Sequence, residues 1–142
     1  AYFQLEHESN GKDGDDSRSW NKISFSGIFT LDKHWSVQTK WWIPLIDGEN
    51  NQHLDSYKGF AHYGADYNNR RLNVGLLLTK RAGNFFNHNV TVNFSYKIFK
   101  NENQHLFIEY YNGYGENLLD YDSFRSRIRI GFVIMPGLMR IY

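Results

Sequence analysis

The chain has 142 residues, no cysteine, 18% aromatic residues and a formal net charge of +1. That length suits one domain; the near-neutral charge, with no Lys/Arg run, gives no footing to a nucleic-acid partner, and the lack of cysteine excludes a disulfide scaffold and a thiolate metal site. No apolar run approaches the roughly 20 residues of a membrane helix, but the mean hydropathy of -0.62 is blind to barrel strands, whose alternating faces average out.

The chain opens on alternation. Successive strand side chains point to opposite faces, so Phe3, Leu5, His7 and Ser9 share one face and Gln4, Glu6 and Glu8 the other. After the Asp- and Gly-rich stretch Asn10–Ser19, alternation resumes with Asn21, Ile23, Phe25, Phe29 and Leu31 against Lys22, Ser24 and Ser26. Trp35, Val37, Thr39, Trp41, Ile43 and Leu45 predict a third strand, and Tyr57, Gly59, Ala61, Tyr63, Ala65 and Tyr67 a fourth. Leu72–Thr79, Val90–Ile98, Leu106–Tyr111 and Phe124–Ile134 repeat the pattern. Eight strands result, most of them long enough to cross a bilayer at a tilt, which takes about 9–11 residues. Pro44 and Pro136 fall at strand ends, where a missing ladder donor does least harm. No leader-like stretch precedes the first strand, so a mature form or a piece of something longer is expected.

The connections alternate in length. Asn10–Ser19, Ile46–Asp55, Ala82–Asn87 and Gly113–Ser123 are long, whereas Asp32–Lys33, Asn68–Asn69 and Lys100–Gln104 are short. Outer-membrane barrels combine short inner turns with longer external loops, which places Asn10–Ser19 outside. The polar set carries both signs of charge (Glu6, Glu8, Lys22, Lys40, Lys58, Asp66, Glu109, Arg125, Arg127 and Arg129), as a narrow salt-bridged lumen would. Trp35, Trp41, Tyr57, Tyr67 and Tyr110 near the ends of the apolar set suit interfacial girdles. The predicted fold is an all-β transmembrane antiparallel β-barrel, with residues 1–142 forming one barrel domain or the C-terminal portion of a larger one. A soluble barrel that turns its apolar set inward onto a ligand is the alternative. The arginine row is expected to pair with Glu6, Glu8 or Glu109, and His34 and His62 to lie among the lumen residues.

Three polar side chains interrupt the apolar set: His7, Ser9 and Asn21. An ester-cleaving serine needs a base within hydrogen-bond reach and a third group to orient that base. Side chains at i and i+2 lie about 6.6–7 Å apart at Cα on one strand face, and the neighbouring strand brings Asn21 beside His7. A neutral amide suits the setting, since a carboxylate facing hydrocarbon would cost several kcal/mol in desolvation.

The stretch His7-Glu8-Ser9-Asn10-Gly11, with Ser17-Arg18-Ser19-Trp20-Asn21, resembles the active-site signature of the outer membrane phospholipase A family. Tyr111-Asn112-Gly113-Tyr114-Gly115-Glu116-Asn117-Leu118-Leu119-Asp120-Tyr121 resembles that family's last external loop. The family is a twelve-stranded barrel, so the resemblance covers its C-terminal eight strands. It implies a serine carboxylic ester hydrolase, a phospholipase A1/A2 that cuts acyl esters of membrane phospholipids at the outer leaflet of a Gram-negative outer membrane. By the same resemblance Ser9 is the nucleophile, His7 the general base and acid, Asn21 the orienting residue and the Gly11 N–H an oxyanion-hole donor. The resemblance also implies Ca2+, held by the Lys12 carbonyl and the Ser17 hydroxyl, with the neighbouring subunit of a homodimer completing the site. Lys12 stands where the family usually has arginine, a change that a backbone ligand survives. The family's dimer contacts lie largely in N-terminal strands that this chain lacks. A catalytically silent or truncated structural barrel that keeps the signature is the alternative.

Overall fold

The computed structural model describes residues 1–11, 19–45, 54–100 and 103–134. Eight strands and one short helix follow in chain order: β1 Tyr2–Ser9, β2 Ser19–Thr30, β3 Trp35–Leu45, α1 Leu54–Lys58, β4 Ala61–Asn68, β5 Leu72–Lys80, β6 His88–Lys97, β7 Gln104–Gly113 and β8 Arg125–Ile134. Each strand pairs antiparallel with the next, in one sheet ordered β1 to β8. β1 and β8 close its two ends, and no ladder joins them to each other among the described residues.

The short turns have a shared chemistry. Asp32 Oδ1 accepts the backbone N–H groups of His34 at 2.6 Å and Trp35 at 2.8 Å. Asn69 Oδ1 does the same for Arg71 and Leu72, both at 2.9 Å. An Asx side chain that satisfies the backbone two and three residues on closes a tight reversal. His34, expected in the lumen, belongs to the first of these turns and bonds the Asn68 carbonyl through Nδ1 at 2.8 Å.

The two faces are inverted relative to a water-soluble protein. Leu5 is 83% exposed and Phe132 79%, while Ser24 and Ser95 are each 1% exposed. Phe3, Ile43, Ile128 and Ile130 also stand open on the outer wall. Exposed apolar area costs about 25 cal/mol per Å² in water, so a wall of this kind is built for hydrocarbon, with polar residues turned to the lumen. The soluble arrangement, apolar set inward, is not the one this chain adopts.

Lumen charges pair along and across strands. Glu6 binds Lys40 at 2.7 Å and Lys22 at 3.5 Å, and accepts the Ser24 hydroxyl. Arg129 pairs with Glu109, as expected, and also with Glu116. Glu6 and Glu8 take lysines instead of the arginine row, because β1 lies at the opposite end of the sheet from β8. Arg127 reaches Glu116 at 3.4 Å, and Arg125 reaches Asp120 at 3.4 Å.

The loop between β7 and β8 bends over the lumen mouth. Leu118 packs with the lumen-facing Trp20 and Trp42, and Tyr121 lies against them. Asn89 at the mouth of β6 is buried and fastens two loops: its Nδ2 donates to the carbonyls of Tyr57 at 2.9 Å and Tyr114 at 2.7 Å, and its Oδ1 accepts the Tyr114 N–H at 2.8 Å. Alternation extends the fourth strand back to Tyr57, but the chain there forms α1 and reverses at Gly59, with φ +84°. A side chain at Gly59 would overlap the Lys80 carbonyl, so only glycine fits there, and the spacing Tyr57, Gly59, Ala61 mimics a strand that the positive φ at Gly59 interrupts.

Candidate active site

The β1–β2 hairpin sets the register that builds the site. His7 lies opposite Asn21, Glu8 opposite Trp20 and Ser9 opposite Ser19. Alternation puts His7, Ser9 and Asn21 on the outer wall among Leu5, Ile23 and Leu45, whose side chains are exposed. Glu8 and Trp20 point the other way, into the lumen. One face of two residue pairs is therefore polar amid an apolar wall, and the other face is anchored within.

His7 Nδ1 and Asn21 Oδ1 are 2.8 Å apart. An amide oxygen only accepts, so Nδ1 carries the proton and Nε2 keeps its lone pair. That is the tautomer a general base needs. Ser9 Oγ accepts the Gly11 N–H at 3.1 Å; Gly11 holds φ +65°, a conformation glycine adopts without strain. The structure thus brings His7 to Asn21 and Ser9 to Gly11. No hydrogen bond joins Ser9 to His7 among the described residues, although alternation places both on one face of β1. Lys12 and Ser17, the calcium ligands implied by the resemblance, lie outside the described residues. Among the described residues no cluster of three or more His, Cys, Asp or Glu forms a metal site.

Glu8, one of the lumen charges, and Trp20, part of the signature stretch, stand directly behind this wall. Glu8 Oε2 accepts the Trp20 indole N–H at 2.9 Å, and Glu8 Oε1 binds Lys58 Nζ at 2.5 Å. The signal available in the sequence was position alone: Glu8 falls between His7 and Ser9, and Trp20 immediately precedes Asn21.

The family model described as phospholipase A1 matches residues 1–134. Phospholipase A1 of Proteus vulgaris is 29% identical over 136 residues, covering 94% of this chain and 45% of that protein. Phospholipase A1 of Escherichia coli K12 is 28% identical over 130 residues, covering 90% of this chain and 43% of that protein. Outer membrane phospholipase A from Escherichia coli superposes with a TM-score of 0.80 at 24% identity, covering 94% of this chain and 53% of that one. The Salmonella typhi outer membrane phospholipase dimer with bound calcium superposes with a TM-score of 0.78, at the same identity and coverage. The chain spans about half the length of the curated relatives it matches.

Proposed function

The chain belongs to the phospholipase A1 family, and from that premise we propose that it is an outer-membrane phospholipase that hydrolyses acyl esters of phospholipids at the outer leaflet. The observation that carries the reading is the His7–Asn21 hydrogen bond on the outer wall, with Ser9 two residues along the same face. An ester at the external rim of such a wall reaches the site from within the bilayer, so substrate need not leave the membrane.

The steps follow from the proton positions. Ser9 Oγ attacks the ester carbonyl while His7 Nε2 takes the hydroxyl proton. The imidazolium then gives that proton to the departing lysophospholipid oxygen, and water repeats the sequence on the acyl-serine. Asn21 holds the ring through Nδ1, which keeps Nε2 as the only proton acceptor. The Gly11 N–H donates to Ser9 Oγ in the resting site, and its nearness to the nucleophile supports a role as the donor that stabilises the oxyanion.

The S. typhi relative, a dimer with bound calcium, supports a calcium-dependent homodimer as the active form here. The donor chemistry fits: the Lys12 carbonyl and the Ser17 hydroxyl are hard oxygens, with Asp13, Asp15 and Asp16 between them. Bound calcium would add positive charge beside the developing oxyanion.

The test is fatty-acid release from phospholipid in detergent micelles, with and without chelator. Calcium-stimulated release that disappears in Ser9→Ala, while the heat-modifiable gel mobility of the folded barrel persists, supports the reading. Equal, unstimulated release by Ser9→Ala sinks it. A second reading, a catalytically silent barrel portion, is favoured by the chain's half-length match to its relatives; a folded wild-type chain with no hydrolysis at any calcium level would establish it.

A further inference from the structure

We infer that the Glu8–Lys58–Trp20 cluster in the lumen is the positioning device for the His7/Ser9 strand, and that it carries the grip of the mouth loops through the wall to the reacting groups. The inference rests on the Ser9–His7–Asn21 reading above and deepens it. A site that faces hydrocarbon has little protein on its own side to hold it, since the neighbours there are Leu5, Ile23 and Leu45 on an exposed wall. Fixing a catalytic geometry to a fraction of an ångström requires supporting contacts. Here the supports are on the opposite face, reached through the backbone.

Glu8 is the one residue between His7 and Ser9, so its side chain and theirs share a single stretch of strand. Lys58 Nζ and the Trp20 indole N–H occupy one carboxylate oxygen each. Trp20 is 1% exposed and the Lys58 side chain 14% exposed, so both donors are sheltered, while the Glu8 side chain that accepts from them is 40% exposed. The Glu8–Trp20 pair is the next rung after His7–Asn21 in the same ladder. A twist or slip of β1 that disturbed the outer rung would have to break the inner one.

The clamp does not end at the hairpin. Lys58 closes α1 and is followed by the Gly59 reversal against the end of β5. Trp20 packs with Trp42 and Leu118, which belong to β3 and to the last external loop. Lys22 Nζ lies 5.0 Å from the Trp20 ring centroid and Lys58 Nζ 5.9 Å, so two cations stand within cation–π range of the indole. Strand β3, the helix α1 and the β7–β8 loop thus converge on the inner face of the hairpin that carries the outer site.

The experiment uses the whole chain refolded in detergent, with Lys58→Met, Lys58→Arg and Trp20→Phe compared with wild type. Heat-modifiable gel mobility verifies that each variant folds. Lys58→Met is expected to lower kcat about 10–100-fold, the usual size of an outer-shell effect, with KM within about twofold. Lys58→Arg, which keeps the ion pair, is expected to recover most of the loss, and Trp20→Phe to resemble Lys58→Met. Unchanged kcat, or a rise in KM alone, overturns the inference. A second readout is independent of turnover: the imidazole nitrogen resonances of His7, which report the Nδ1–H tautomer. A fixed tautomer in wild type that becomes mixed in Lys58→Met supports positioning even where wild type hydrolyses nothing and the phospholipase reading has failed. An unchanged His7 spectrum in a folded Lys58→Met overturns positioning even where wild type is a competent phospholipase.

Discussion

His7 and Asn21 face each other across the first hairpin, and the imidazole Nδ1–H reaches the Asn21 amide oxygen at 2.8 Å on the wall turned away from the lumen. The bond decides which ring nitrogen is basic, so its loss should appear in turnover and not in binding. Asn21→Ala is expected to lower kcat about 10²-fold with KM little changed, since the ring then samples both tautomers and several orientations. Steady-state kinetics on mixed micelles checks this; wild-type kcat in a folded Asn21→Ala would remove Asn21 from the mechanism. Asn21→Asp accepts the same hydrogen bond, so it is expected to retain more turnover than Asn21→Ala.

Asn89 makes a different kind of contribution. Its three hydrogen bonds satisfy backbone groups of Tyr57 and Tyr114 in a buried setting. Asn89→Ala leaves two carbonyls and one N–H without this partner and is expected to destabilise the fold by about 2–3 kcal/mol. Urea unfolding in lipid vesicles measures it as a lower midpoint at unchanged slope. The neighbouring Gly113, where a side chain would overlap Asn89, should be equally intolerant of alanine.

The barrel wall and its site were legible in different ways. Period-2 alternation reveals the strands because lipid and lumen impose opposite chemistries on successive residues, as Leu5 and Glu6 show. The register that sets His7 against Asn21 follows once the hairpin is recognised. What alternation misses is set by contacts remote in sequence. The Lys80 carbonyl leaves no room for a side chain at Gly59, and Glu116 finds Arg127 and Arg129 only because the last loop folds inward. Asn89 looks like an unremarkable polar residue beside a strand, and its value as a fastening point appears only when two loops arrive. In the sequence Glu8 is one more lumen charge, because its partner Lys58 comes from a helix whose residues follow a strand's alternation.

Asp32 supplies a prediction in pH. The His34 and Trp35 amides bonded to its carboxylate hold it below its ordinary value of 3.8. A depressed folded value means that the contribution to stability is complete above the unfolded pKa and is lost as pH falls through the folded one. The β2–β3 turn should therefore loosen only below about pH 3.8, and more acid should be needed than for an unbonded aspartate. Hydrogen exchange at the His34 and Trp35 amides, followed from about pH 5 to about pH 2.5 and corrected for intrinsic rates, reads this directly. Asp32→Asn keeps the acceptor without titrating, so its protection should stay flat over that range. A parallel fall in both proteins would show that Asp32 is not the titrating group.

Ile130 and Arg129 are consecutive on β8, and a charge should be tolerated at one position and rejected at the other. Arg129 turns inward, where Glu109 and Glu116 meet its guanidinium. Ile130 is 71% exposed on the outer wall, near the middle of a strand that runs Arg125–Ile134. An arginine facing the bilayer centre costs about 2–4 kcal/mol in a barrel, falling towards the interfaces. Ile130→Arg is therefore expected to weaken folding into vesicles by about that amount, while Arg129→Lys, which keeps a lumen cation, should cost much less. The contrast separates the membrane reading from any soluble one: in a barrel surrounded by water, Ile130→Arg would be neutral or slightly favourable. Equal stability of Ile130→Arg and wild type in lipid would mean that this face does not meet hydrocarbon, and the site proposed at His7, Ser9 and Asn21 would lose its proposed access to the bilayer.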